Sequence, residues 1–253
     1  VRRCSHPEQM TGHCRLDEIA DQLTPASRFR PPVIAIIGPV TELAESMSWI
    51  QHRPLSGKTI LVTRPIEQAT TMIESIQDQG GCARLAPAIE IAPLADFTRL
   101  DRGIMQIPNT DLLIFCSVNG VKHFFDRLFH NGYDSRYLTA TRIAVVGRKT
   151  ATALNDFGIQ ADFVPNDFSA AGLIQTLNQT DWSDQASGPN VLLIRASRGN
   201  ADLANGIQSI AGDVQQVVAY QNRDIDEPDP TIESELQKRV IDWVTVTSSA
   251  TAN

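Results

Sequence analysis

The chain has little of what marks several common routes to function. Its four cysteines, Cys4, Cys14, Cys82 and Cys116, show no Cys-x-x-Cys spacing, which argues against a disulfide framework, a zinc ribbon or a dithiol redox motif. Cys4, His6, His13 and Cys14 lie close together, but their spacing fits no standard zinc finger, and the adjacent pair His13-Cys14 would need an awkward turn. Positive charge is also short. A formal net charge of −7 argues against a nucleic-acid surface or an anionic-membrane surface, while leaving room for a small anion held by local donors. No apolar run approaches a membrane span, and the longest, Val33 to Ile37, is expected as a buried strand. The first residues, Val1-Arg-Arg-Cys, lack the apolar core of a secretion signal. With reduced thiols, these features make the cytoplasm the expected location. There is no Gly-x-Gly-x-x-Gly, so a dinucleotide is not expected, and Gly147-Arg-Lys-Thr150 lacks the spacing of a phosphate P-loop. No Ser/His/Asp order, paired-carboxylate motif or metal motif is present.

What the chain does have is repetition. Lys58-Thr-Ile-Leu-Val-Thr-Arg64 is echoed by Asn190-Val-Leu-Leu-Ile-Arg195, and Asp111-Leu-Leu-Ile-Phe-Cys-Ser117 by Asp242-Trp-Val-Thr-Val-Thr-Ser248. The two offsets nearly agree, as in an internal duplication of an α/β unit. The first copy runs on into Arg142-Ile-Ala-Val-Val-Gly-Arg-Lys-Thr-Ala151, and the second copy has no such continuation. The expected fold is therefore α/β, with two similar parallel-sheet lobes joined by a two-stranded linker, one lobe inserted in the other and the outer lobe incomplete. A cleft between two such lobes is where a small ligand is expected.

The pattern of elements fills this in. Residues 1–54 hold a helical pattern (Leu16, Ile19, Ala20, Leu23), the strand Val33 to Ile37 and a helix from about Thr41 to Ile50. This segment is too small for a core of its own and reads as the tail of another domain. Residues 55–90 and 221–253 are assigned to the outer lobe and 91–220 to the inserted one. Strands are expected near Leu112–Cys116, Arg142–Val146, Ala161–Val164, Val191–Arg195 and Val214–Ala219, alternating with helices near Val118–Phe129, Thr150–Phe157, Ala170–Asn178 and Asn200–Ile210. The extended segments Leu85–Leu94 and Val217–Arg223 are expected to pair.

In open α/β sheets, ligands meet the loops beyond the carboxyl ends of strands. The loops here carry Thr63 and Arg64, Ser117 and Asn119, Thr150, Ser197 and Arg198, and Thr247 and Ser248, with Ser169 opening a further helix. Hydroxyls, amides and guanidinium groups at helix starts suit carboxylates or phosphates. Plain helix capping explains any one of them equally well. Tyr220, one of only three tyrosines, falls on the second linker segment. It reads as a proton donor or, with equal weight, as a packed ring with a satisfied hydroxyl. Cys116 reads as a small core residue, and His123 and His130 as surface or partly buried residues.

The segments Lys58–Pro65, Ile114–Val121, Val145–Ala151, Leu193–Gly199, Val217–Tyr220 and Trp243–Ser248 together resemble uroporphyrinogen-III synthase, over about residues 55–253. The resemblance implies cyclisation of the linear tetrapyrrole hydroxymethylbilane to uroporphyrinogen III. Ring D is inverted, water is lost and no cofactor is used, within heme, siroheme and cobalamin biosynthesis. It also implies that Tyr220 helps the hydroxyl leave, and that Thr63, Arg64, Ser117, Thr150, Thr247 and Ser248 bind substrate. Asn119, Ser169 and Ser197 are expected to bind it with them, from their own places at helix starts and loops. Residues 1–54, through Cys4–Gln9, Leu16–Ala20 and Pro31–Gly38, are similar to the tail of uroporphyrinogen-III C-methyltransferase. That likeness implies a fused or associated methyltransferase partner. A two-lobed binding module without chemistry and an inactive fragment are the alternatives.

Overall fold

Short apolar runs, each followed by a helix start, sort into two units: residues 1–90 with 224–253, and residues 91–223. The computed structural model describes every residue except 5, 7, 23, 25, 27, 28, 50, 183–187, 200, 228 and 248–253. Along the chain, the first unit contributes the single turn α1 (Ile19–Gln22), β1 (Thr59–Val62), α2 (Ile66–Asp78) and β2 (Cys82–Leu85). Strand β3 (Ile89–Ala92) leads into the second unit. There follow α3 (Thr98–Met105), β4 (Leu112–Phe115), α4 (Val118–His130), β5 (Arg142–Val145), α5 (Arg148–Asn155), α6 (Ala170–Asn178), β6 (Asn190–Ala196), α7 (Asp202–Ile207) and β7 (Asp213–Asp224). The first unit then resumes with α8 (Pro230–Gln237) and β8 (Trp243–Thr245).

The larger sheet has the order β3-β7-β6-β4-β5, and its β7–β6, β6–β4 and β4–β5 pairs are parallel. The expected pairing of the two extended segments is seen in β3 lying beside β7. Strand β4 is apolar at every position because both of its faces are covered. Leu113 and Phe115 join Leu100, Ile104, Val121, Phe124, Phe125 and Leu154 from α3, α4 and α5. Leu112 and Ile114 join Leu173 and Leu177 of α6 with Leu203, Ala204 and Ile207 of α7. The period of two along the strand thus serves two helix layers.

The smaller sheet, β2-β1-β8, is also parallel. Its core is small: Ile60, Val62, Ala69 and Ile76, with Leu55, Met72, Ile73, Ala83 and Leu85 packed on them. Helix α2 stops as its sequence dictates. Gly80 takes φ +83°, the Gly81 N–H reaches the Ile76 carbonyl and the Gly80 N–H that of Gln77, which closes a Schellman motif before β2.

The duplication read from sequence has a physical counterpart at the strand starts. The Asp111 carboxylate accepts the Asn190 N–H at 2.8 Å while the Asp111 N–H donates to the Asn190 carbonyl, tying β4 to β6. The Asp242 carboxylate accepts the Thr59 N–H at 2.8 Å and the Lys58 ammonium at 3.0 Å, while its N–H donates to the Thr59 carbonyl, tying β8 to β1. The same aspartate clamp opens the equivalent strand pair in each unit.

Three expectations are corrected. Val33 to Ile37 is not a buried strand: only Val33 makes an isolated bridge, to Arg2, and Ile34, Ile36 and Ile37 are 56%, 57% and 67% exposed. No sheet edge among the described residues is offered to the rest of the run. The helix expected from about Thr41 to Ile50 is a short 3₁₀ turn, Pro39–Leu43, followed by turns. Ala161–Val164 is not a strand either. Phe163 makes one bridge to Ala144, and the Asp162 carboxylate takes the Ile143 N–H at 2.7 Å, a donor that an edge strand would otherwise use.

Candidate active site

The larger unit gathers chemistry at the carboxyl ends of β4, β6 and β7. Strand β4 ends at Cys116-Ser117, and Ser117 turns the chain into α4 with extended backbone, its Oγ accepting the Gly120 N–H at 3.0 Å. That is ordinary N-capping. The same Oγ also lies 3.0 Å from the Tyr220 hydroxyl, and either oxygen can be the donor. Ser117 has a second lone pair and a proton to spare for this contact.

Tyr220 reaches Ser117 because of an irregularity in β7. Arg195 pairs with Val218, but Ala196 pairs with Tyr220, so Ala219 is an extra residue opposite the β6 strand. Without this bulge, Tyr220 would face away from Val217 and Ala219. With it, all three sit in the same core beside α4. Ser197 secures the bulge: its N–H donates to the Tyr220 carbonyl at 3.0 Å and its Oγ accepts the Asn222 N–H at 3.0 Å. Arg195 steadies the same loop, donating to Gln216 at 2.7 Å and to the Gly199 carbonyl at 2.9 Å.

Only 5% of Tyr220 is exposed. Burial pushes its phenol above the usual tyrosine value, against the hydrogen bonds with Ser117 and Asn119, which pull the other way. The phenol therefore keeps its proton through neutral pH. When Ser117 donates to it, that proton is free to be given elsewhere. Neighbouring Cys116 is pushed up to about 11 by burial, with Arg195 opposing; the thiol is neutral and a poor nucleophile. His123 stacks on the Tyr220 ring with centroids 5.4 Å apart and planes inclined by 17°. Burial draws its imidazole below the ordinary histidine value, helped by Lys122 and opposed by Asp126.

Of the residues expected to serve a site, the fold thus brings Ser117, Asn119, Ser197 and Tyr220 together. Thr150 is buried in the first turn of α5, its N–H on the Gly147 carbonyl at 3.0 Å. Ser169 caps α6, accepting the Gly172 N–H at 3.0 Å and donating to Asp167 at 2.7 Å. In the smaller unit, the Thr63 hydroxyl donates to the Thr245 carbonyl at 2.6 Å, so its proton is committed to the sheet. Arg64 donates to Gln68 at 2.9 Å, and its buried Nε has no acceptor among the described residues. Thr247 is exposed just beyond β8. Ser248 lies outside the described residues. The sequence reading missed the contact of His123 with Tyr220. The signal available was the Asn119–His123 spacing, which puts both on one face of a helix starting at Ser117.

These features define an α/β protein of two parallel-sheet units whose larger member presents a buried, protonated phenol at its strand ends. A family model described as uroporphyrinogen-III synthase HemD matches residues 70–253; the chain belongs to that family. Porphyrin biosynthesis protein HemD of Ruminiclostridium josui is 30% identical over 227 residues, covering 88% of this chain and 44% of that protein. Uroporphyrinogen-III synthase of Synechococcus elongatus is 32% identical over 173 residues, covering 68% of this chain and 63% of that one. The chain thus spans less than two thirds of the length of either relative. A crystal structure of a mutant uroporphyrinogen III synthase from the extreme thermophile Thermus thermophilus shares the fold, with a TM-score of 0.57 at 16% identity, covering 77% of this chain and 74% of that one.

Proposed function

We propose that the protein is a uroporphyrinogen-III synthase, cyclising hydroxymethylbilane to uroporphyrinogen III. The observation that carries this is the buried Tyr220 phenol held on Ser117, a proton donor at the carboxyl ends of the strands. In the proposed step the phenol gives its proton to the substrate's terminal hydroxyl. The carbon–oxygen bond breaks and water leaves. The cationic carbon bonds to the substituted α-carbon of ring D, and the bond from that carbon to the bridge from ring C then breaks. That bridge carbon bonds instead to the free α-carbon of ring D, which inverts the ring and releases that carbon's proton. The proton that ring D releases balances the one the phenol gave, so the phenolate is reprotonated and only water is lost. Folding a flexible, reactive chain so that its ends meet is an entropy trap, which needs positioning more than covalent chemistry. The substrate's carboxylates call for donors. Asn119, Thr150 and Ser197 are proposed to supply them in the larger unit; in the smaller unit Arg64 has a donor still unspent.

Residues 1–54 are proposed to belong to a methyltransferase-like domain acting on the product, as in siroheme synthesis. Two observations support this. The R. josui match covers 88% of the chain, more than residues 55–253 alone can supply. Ile34, Ile36, Ile37, Val40, Leu43 and Met47 are exposed, which suits a surface that further protein would cover. The free thiols of Cys4 and Cys14, both exposed, fit a reducing cytoplasm. Among the described residues no helix is long and apolar enough to cross a membrane.

The test is to supply hydroxymethylbilane, oxidise the products and separate the isomers by chromatography. The type III isomer is expected, with turnover falling about 10²–10⁴-fold in Tyr220→Phe, the range for loss of a general acid. Type I alone, the product of unassisted closure, would leave a binding module or an inactive fragment as the better reading.

A further inference from the structure

Helix α4 holds Tyr220 at two points. Ser117, at the cap, takes the hydroxyl at 3.0 Å. His123, on the second turn, lies over the ring at 5.4 Å with planes 17° apart. The hydroxyl contact alone fixes one atom and leaves the phenol free to swing about it, whereas a stacked face fixes the plane. Asn119 and His123 lie one turn apart and address the same side chain, the first its oxygen and the second its ring. The other two tyrosines, Tyr133 and Tyr137, stack on each other at 4.1 Å, so this pairing with a histidine is particular to Tyr220. His123 is half-buried, and its imidazole makes no hydrogen bond among the described residues that would define a different task for it.

We infer that His123 is a positioning residue for Tyr220, whose aromatic face sets the plane of the phenol and hence the direction in which it presents its proton. The inference rests on the reading of Tyr220 as the proton donor. A flat, uncharged ring is what the role requires, not a base. Loss of the ring should act on the chemical step, and only when the phenolic hydroxyl is there to be aimed.

The experiment is a double-substitution cycle in the intact protein, read as kcat and KM for type III product. His123→Ala should lower kcat about three- to tenfold with KM within about twofold, the scale of one aromatic contact. His123→Phe, which keeps a flat ring and cannot ionise, should restore kcat to within about twofold. In the Tyr220→Phe background, His123→Ala should cause no further fall. A fall of equal size in that background would overturn the positioning role, as would an unchanged kcat in His123→Ala or a failure of phenylalanine to rescue. If Tyr220→Phe itself turned over normally, the reading of Tyr220 would fail first, which the cycle shows separately. Carbon-13 labelling of the tyrosine rings provides a reading independent of turnover. The Tyr220 ring signal should move in His123→Ala and return towards its original position in His123→Phe; a signal indifferent to both would show that the two rings do not stack in solution.

Discussion

Ser117 does two jobs with one oxygen, and its removal can be separated into parts. Ser117→Ala removes the α4 cap, whose Oγ accepts the Gly120 N–H at 3.0 Å, a loss of about 1 kcal/mol for a typical cap. It also strips the buried Tyr220 hydroxyl of Ser117 at 3.0 Å, leaving it Asn119, which adds about 1 kcal/mol for a hydrogen bond in a partly buried setting. The expected total is therefore about 2 kcal/mol. Tyr220→Phe leaves the cap in place, removes the hydroxyl's contacts with Ser117 and Asn119 and keeps the ring in its core, so about 1 kcal/mol is expected. The double variant should cost no more than Ser117→Ala alone, and somewhat less if the phenol left with Asn119 was a burden. Urea unfolding followed by far-UV circular dichroism measures all three. Amide exchange sharpens the test: the Gly120 amide should exchange faster in Ser117→Ala and unchanged in Tyr220→Phe. Additive single effects in the double variant, or a Gly120 amide that ignores the loss of Ser117, would refute the shared-oxygen geometry.

Other consequences can be checked as directly. Because burial pushes Cys116 up to about 11, a thiol reagent at pH 8 should label the exposed Cys4 and Cys14 quickly and Cys116 only after unfolding, as read by peptide mass spectrometry. Hydrogen bonds from Arg127, 2.6 Å to each carboxylate oxygen, hold Asp101 below the usual carboxylate range despite its partial burial. A depressed value means that this stabilisation is complete above the unfolded-state pKa of about 3.9 and is lost as pH falls through the lower folded-state value. Asp101→Asn should cost about 1 kcal/mol at pH 7 and flatten the acid limb of stability against pH in urea titrations. A methyl at Gly172 would meet the Asp167 carbonyl oxygen at 2.1 Å, a backbone atom that cannot step aside. Gly172→Ala should therefore cost about 1–3 kcal/mol and lower the melting temperature, and a neutral result would show that the α6 start is looser than drawn.

Much of the fold could be read from the chain because its strands are short and apolar on both faces. Leu112–Phe115 and Val191–Ile194 have no other plausible place than a covered sheet, and Ser117 and Ser169 announce the helices they cap. What could not be read depends on partners far away in sequence. The run Val33 to Ile37 has the composition of a buried strand but no sheet to join among the described residues, and composition cannot report a missing neighbour. The Ala161–Val164 segment loses its ladder to one aspartate side chain. Helix α3 has no clear bounds in the sequence, since Gly103 and three charged residues (Arg99, Asp101, Arg102) obscure its apolar stripe. At the site, the donors were nameable as types, but the bulge at Ala219 that turns Tyr220 towards α4 depends on register with β6, which no local pattern records. For the same reason His123 read as an ordinary helix residue.

The aspartate clamp at β8 also bears on the order in which the protein is made. Residues 91–223 form an uninterrupted unit whose strands find one another within that stretch, and it can fold as soon as it is synthesised. Strand β1 is made earlier, yet its β8 partner arrives some 184 residues later, the separation of Lys58 from Asp242. Until then β1 has only β2 beside it, with one edge open and a core of four buried side chains. Of the two units, the one whose first strands are made earlier is therefore the one completed later. In that interval Thr59 to Val62 is an unprotected apolar edge, the segment through which a stalled or shortened product would be expected to aggregate.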